Sequence, residues 1–236
     1  MRQPGKGEAV QAARTPQGIA KSRAEAFSDG VFAVAATILV FSVTPPDVKS
    51  GLAQALLAEW PSYAAYAISF GTIVVIWVNH HVVFDTMDRI DRALLFINAL
   101  LLVTVAAIPF PTALVAKYLQ AGHDQQVAAF AYGVTMSCMA VAFSVFTLYA
   151  RRYRRTYVPL DWLGFATGLV LYPLATLVAL WNYRVALAVF GFIVLFYFAL
   201  PVLREYLGTS GAGGGSLPLR STRAAEADRG DLGEDA

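Results

Sequence analysis

The chain has 236 residues, of which 57% are hydrophobic and 14% charged, against about 25% charged in an ordinary soluble domain. The net charge of +2 says little, but the charges cluster in short stretches between long apolar runs, as a chain crossing a bilayer several times arranges them. That pattern leaves no room for a large soluble domain. A single cysteine, Cys138, excludes an intrachain disulfide framework and a cysteine-rich metal site.

In chain order, Met1–Ala20 is rich in Gly, Pro, Gln and Ala and reads as a disordered arm. The first apolar stretch, Phe27 to Val43, ends at Thr44-Pro45-Pro46, because proline cannot continue a helix. It follows a polar arm and carries no small-residue cleavage site, so it is expected to be a retained membrane helix rather than a signal peptide. A second helix is expected over about Pro61–Asp85 and a third over Ala93–Lys117, the latter bent near Pro109 and Pro111. A fourth covers Gln126–Ala150 and a fifth Asp161–Trp181. The turn Asn182-Tyr183 is so short that the fifth and sixth helices must be antiparallel neighbours. The sixth ends near Tyr206, and 207–236 reads as a Gly/Ser-rich, then mixed-charge, disordered tail. The expected fold is an all-α polytopic membrane protein, with six transmembrane helices in one domain, 21–206.

Orientation follows from Lys and Arg. With the N-terminus inside, only Lys49, Lys117 and Arg184 of the 18 basic residues fall in outside segments. Both termini are therefore expected to be cytoplasmic. The basic run Arg151-Arg152-Tyr153-Arg154-Arg155 is accounted for by this orientation and by contact with anionic lipid.

The first helix is unusual. At 100° per residue Arg23, Phe27, Gly30, Val34, Thr37 and Phe41 share one face, with Asp29 nearly opposite. This stripe admits two readings. It is a helix–helix contact, with Thr37 bonding back to its own helix, or it is a pore wall, symmetric copies surrounding an axis with Val34 and Phe41 as apolar rings and Thr37 as a hydroxyl ring. Trp77, Asn79, His80, His81 and Asn98 on the second and third helices sit in apolar surroundings and need partners. The adjacent His80 and His81 point in different directions, which argues against a metal or haem site. A structural network is expected instead, with Asp29 meeting a histidine of the second helix. Paired carboxylates, a nucleophile–base arrangement and a phosphate loop are all missing from the sequence, so no enzyme is expected. Nothing points to nucleic acid.

Three ordered motifs carry a family resemblance. Arg23-x-x-x-Phe27-Ser28-Asp29 runs into Gly30-Val31-Phe32-Ala33-Val34-Ala35-Ala36-Thr37-Ile38-Leu39-Val40. Trp77-x-x-His80-His81-x-x-Phe84 follows, and then Asn98 with Ile108-Pro109-Phe110-Pro111-Thr112. Together, over roughly residues 20–115, they resemble the first three helices of the transmembrane protein 175 family, the lysosomal potassium channel family, in its prokaryotic single-repeat form. The resemblance implies a potassium-permeable channel without a pore-loop filter, a homotetramer in a prokaryotic plasma membrane, with permeant K+ and no cofactor. It implies a pore lined by the first helices at Val34, Thr37 and Phe41, which are positions of the stripe found above. The resemblance implies a larger aliphatic side chain at one or both of the apolar positions; here Val34 is smaller than Ile or Leu, and Phe41 is aromatic. Ala131-Tyr132-Gly133-Val134-Thr135 has a slight likeness to a filter loop, but it lies inside a continuous helical run and its residue order is wrong. A proton-coupled secondary transporter or proton channel is the alternative; the prolines at 109 and 111 are its only support as a broken helix. Arg23, at the inner mouth, is expected to be tied to a carboxylate or to carbonyls.

Overall fold

The computed structural model describes residues 17–46, 51–87, 89–121, 123–153 and 162–212. The expected arm and tail therefore lie largely outside the described residues. The elements are α1 (Gln17–Ile38), a 3-10 turn (Leu39–Ser42), α2 (Leu52–Ala58), α3 (Trp60–Asp85), α4 (Arg92–Ala107), α5 (Pro109–Ala121), α6 (Gln125–Ala150), a second 3-10 turn (Arg151–Tyr153), α7 (Trp162–Ala179) and α8 (Tyr183–Ala212). Among the described residues four stretches are long and apolar enough to cross a membrane: Lys21–Ser42, Trp60–Asp85, Arg92–Leu119 and Gln125–Tyr153. The apolar helices Thr167–Ala179 and Tyr183–Ala199 are shorter and bring the apolar segments to the six expected from the sequence. The chain is an all-α polytopic membrane protein.

The structure differs from the sequence reading at four places. The first helix starts at Gln17, inside the expected arm, and the last runs on to Ala212 rather than ending near Tyr206. The expected third helix is two, α4 and α5, divided at Ile108. Pro109 and Pro111 have no N–H to give to the preceding turn, and the Ile108 N–H bonds in 3-10 fashion to the Val105 carbonyl, 3.1 Å away. The seven-residue α2 is too short for its periodicity to be read.

α6 is the hub. It packs on α4, α5 and α7, with Met136 and Phe146 wholly buried. Its Gly133 lets Thr176 of α7 and Phe190 of α8 come so close that a Cβ there would collide with both. Small residues serve this purpose between membrane helices, where close backbone approach replaces the missing hydrophobic drive. The backbone N–H of Gly168 donates to the Tyr197 hydroxyl at 3.1 Å, and the Tyr172 and Phe190 rings lie 6.0 Å apart. Contacts that pair rising positions on α7 with falling ones on α8 make the two antiparallel. The chain divides at Phe198: residues to that point pack as one unit, and α8 continues beyond it.

α1 lies at the rim, packed on α3 and α4, while its 3-10 turn packs on α3 and α5. Ala24, Ser28, Phe32, Ala35, Leu39 and Ser42, at helical spacing, form its buried face.

Candidate pore-lining helix and its anchoring network

The face of α1 one residue ahead of the buried one carries Arg23, Phe27, Gly30, Val34, Thr37 and Phe41, and all six are exposed. The exposure reaches 56% at Val34 and 79% at Phe41. The stripe computed from the sequence is thus one continuous uncovered face of the subunit. The Thr37 hydroxyl donates to its own helix, 2.9 Å from the Ala33 carbonyl and 3.0 Å from that of Val34. That bond uses the only hydroxyl proton and leaves the oxygen lone pairs pointing outward as acceptors. The bond back to the helix, expected of a satisfied threonine, therefore coexists with an outward-facing oxygen.

Two polar groups hold α1 at this rotation. Wholly buried Ser28 donates to the Ala24 carbonyl (2.8 Å) and accepts from Asn98 Nδ2 of α4 (2.9 Å). Asn98 Oδ1 lies 2.8 Å from His80 Nε2 of α3. Because the Ser28 proton is committed to Ala24, the Asn98 amide must donate to Ser28, and its oxygen then takes the proton on His80 Nε2. The three helices are joined by a one-way chain of donors. His80, 1% exposed, sits among aromatic rings: Phe84 at 4.6 Å, Phe146 of α6 at 5.2 Å and Phe32 of α1 at 5.3 Å between centroids. Apolar walls exclude water, so Asn98 must supply the imidazole's hydrogen bond.

The second group centres on Asp29. Trp77 Nε1 donates to Asp29 Oδ1 at 2.9 Å, and His81 Nδ1 lies 3.7 Å from the same oxygen. The Trp77 and His81 rings lie 5.2 Å apart. Asp29 and His81 side chains remain 43% and 46% exposed, so this pair faces out of the subunit. The expected Asp29–histidine meeting occurs through His81, with Trp77 the closer partner, while His80 turns to Asn98. Asn79 is occupied by its own helix, donating to the Val75 carbonyl at 2.7 Å.

Arg23 and Phe27, placed by the motif beside Ser28 and Asp29, stand outside this network on the exposed stripe. The expectation that Arg23 is tied is not met among the described residues. The basic group that is tied is Lys21, which donates to the Met87 carbonyl at 3.0 Å and lies 3.6 Å from Glu25.

Sequence reasoning missed two further clusters. In one, Ser69 of α3 joins Thr112 of α5 at 2.8 Å and Tyr132 of α6 at 3.1 Å, all three buried. Thr112 donates to the Ile108 carbonyl at 2.8 Å, so this cluster also stitches the α4/α5 break. In the other, Asp91 caps α4 by accepting from the Leu94 N–H at 2.8 Å. It also accepts from the hydroxyls of Tyr149 (2.9 Å) and Tyr153 (2.8 Å) at the end of α6.

The site is thus an exposed, mostly apolar stripe with one hydroxyl, held in place by buried polar relays in an all-α membrane protein, as a channel subunit requires. Comparison with known proteins agrees. Residues 23–109 match the family described as the endosomal/lysosomal potassium channel TMEM175. A potassium channel of Streptomyces collinus is 43% identical over 185 residues, 74% of this chain and 90% of that one. A potassium channel of Chamaesiphon minutus is 46% identical over 55% of this chain and 65% of its own. The crystal structure of a lysosomal potassium-selective channel TMEM175 homolog from Chamaesiphon minutus superposes with a TM-score of 0.67 at 33% identity, covering 76% of this chain and 96% of that one. The chain belongs to the TMEM175 channel family.

Proposed function

We propose that the protein is a potassium-permeable cation channel of a prokaryotic plasma membrane. Four copies surround an axis, with the α1 stripe of each facing it. The observation that carries this is the contrast on α1 itself: Ser28, Phe32, Ala35 and Leu39 are buried, while Gly30, Val34, Thr37 and Phe41 are uncovered. Lipid could cover Val34 and Phe41, but it would set the outward lone pairs of Thr37 and the exposed part of the Asp29–His81 pair against hydrocarbon. A charged group at lipid depth costs about 3 kcal/mol even on the lenient insertion scale. A water-filled axis and a neighbouring subunit satisfy both.

Permeation follows from the residues. Val34 and Phe41 form apolar rings where an ion must shed water, which favours the cation least costly to dehydrate, K+ over Na+. Four Thr37 oxygens replace part of the lost shell without a formal charge, so the ion is held weakly enough to leave. No bound cofactor enters this mechanism. The α4/α5 break, which a transporter reading would use, is filled by the Thr112 and Ser69 hydroxyls and serves packing.

The test is Thr37→Val in reconstituted protein under K+/Na+ bi-ionic conditions. The expected outcome is a shifted reversal potential and a reduced unitary current, because the volume is kept and only the oxygen is lost. Currents indistinguishable from the parent would take Thr37 out of the pore.

A further inference from the structure

α1 gives way at Leu39 to a 3-10 turn, in which residues three apart lie over one another. Leu39 and Ser42 form that pair, and both are buried where the turn packs on α3 and α5. Their burial fixes the other two directions, and Phe41 takes the one that continues the stripe. At 79% exposure, no other large apolar side chain among the described residues is more uncovered. The turn's own polar groups are spent locally: Ser42 Oγ donates to the Leu39 carbonyl at 2.7 Å, and the Val43 N–H to that of Val40 at 3.1 Å. What this end of the stripe offers to an arriving ion is an uncovered phenyl ring.

We propose that the outer mouth holds a binding site for quaternary ammonium cations, built from the Phe41 rings of the assembled subunits. This rests on α1 lining the pore. A phenyl face attracts cations through its quadrupole, and most strongly those that shed water easily and need no hydrogen-bond acceptor. Potassium sheds water at this ring and passes on to the Thr37 oxygens, which replace part of the lost shell. A tetraalkylammonium ion has no such next step: it gains nothing from the Thr37 oxygens and stays at Phe41, blocking the path. An aliphatic side chain at this position would give the same bulk with no attraction.

The experiment measures K+ current through the full chain in planar bilayers, with tetraethylammonium added to one side at a time. Block is expected from the Phe41 side, weakened at least about tenfold in Phe41→Leu and kept or strengthened in Phe41→Trp, since indole is the better cation acceptor. Phe41→Met gives a second non-aromatic variant and should behave as Leu does. Absence of block in the parent protein, or equal block in the Leu and Met variants, overturns the proposal. Thr37→Cys in a Cys138→Ser background separates the two levels of the argument. If a cationic thiol reagent in water lowers its current, the pore reading stands whatever happens at Phe41. If it does not, the pore reading falls first.

Discussion

The two polar clusters inside the helix bundle solve the same problem with different chemistry. Nearer the end of α3, His80, Asn98 and Ser28 form a chain in which every donor and acceptor role is fixed. Nearer the start of α3, Ser69, Thr112 and Tyr132 form a hydroxyl cluster: the Thr112 proton goes to the Ile108 carbonyl, so Ser69 donates to Thr112 and Tyr132 to Ser69, and every donor is a rotatable O–H. A hydroxyl cluster tolerates small rotations of its helices, since each O–H can turn to a new acceptor. An amide between an imidazole and a committed serine cannot. The directional chain joins α1 to α3 and α4, so the helix whose rotation sets the exposed stripe is held by the less forgiving chemistry. The hydroxyl cluster joins α3, α5 and α6, where only packing is at stake.

The comparison breaks most directly at Asn98. Asn98→Ala leaves the His80 N–H without a partner among aromatic rings and opens a small cavity. The expected cost is about 2–4 kcal/mol, read as a lower melting temperature in detergent together with loss of K+ current. Retained current and an unchanged melt would show that α1 is not held by this chain. Gly133→Ala acts on the hub instead. Its new methyl meets Thr176 and Phe190, and overpacking of this kind costs about 1–3 kcal/mol. Because α1 does not touch Gly133, the protein should melt earlier while the ion selectivity of the remaining channels stays the same.

How far the sequence reveals these clusters depends on their residue types. Asn98, His80 and Trp77 are rare enough in membrane helices to demand an explanation, and the Phe27-Ser28-Asp29 spacing turns two polar side chains about 100° apart. That separation sends Ser28 into the bundle and Asp29 to its edge, whereas the sequence alone suggested that Asp29 faces inward. Which of two adjacent histidines each would meet was not legible, because this depends on the rotation and depth of α3 against α1, which no single-helix pattern contains. Ser69, Thr112 and Tyr132 are common residues on three separate helices with no spacing that links them, so only packing reveals their cluster. Likewise the two prolines signalled a bend near 109, but the full break needed a neighbouring hydroxyl to fill it.

Ser69→Ala sharpens the contrast by its mildness. Thr112 still donates to Ile108, and the Tyr132 hydroxyl can turn elsewhere. The loss should be about 1 kcal/mol or less, in line with interhelical hydrogen bonds in membranes generally, with no change in K+/Na+ preference. A loss as large as that at Asn98→Ala would erase the distinction between forgiving and unforgiving networks.

The smallest effect is expected at Asp91, which joins the α4 N-terminus to the end of α6 outside the apolar spans. The Leu94 N–H, then the Tyr153 and Tyr149 hydroxyls, hold its carboxylate in the charged form and lower its pKa below the ordinary 3.8. A depressed folded-state pKa means that the stabilisation is complete above the unfolded value and is lost as pH falls through the folded one. The clasp should therefore be at full strength at neutral pH and fail only in strong acid. Asp91→Asn keeps one carbonyl acceptor but cannot take both phenol protons and the Leu94 N–H. Melting temperatures followed from pH 7 down to pH 3 should show a slight loss in the variant at neutral pH. Below about pH 4 the two curves should draw together, as acid removes from the parent what the substitution has already removed. Curves that stay parallel throughout would mean that the carboxylate's charge does not contribute to the clasp, leaving the tyrosines to hold the two helix ends by packing and by the cation–π contact of Arg152 with the Tyr149 ring, 4.8 Å away.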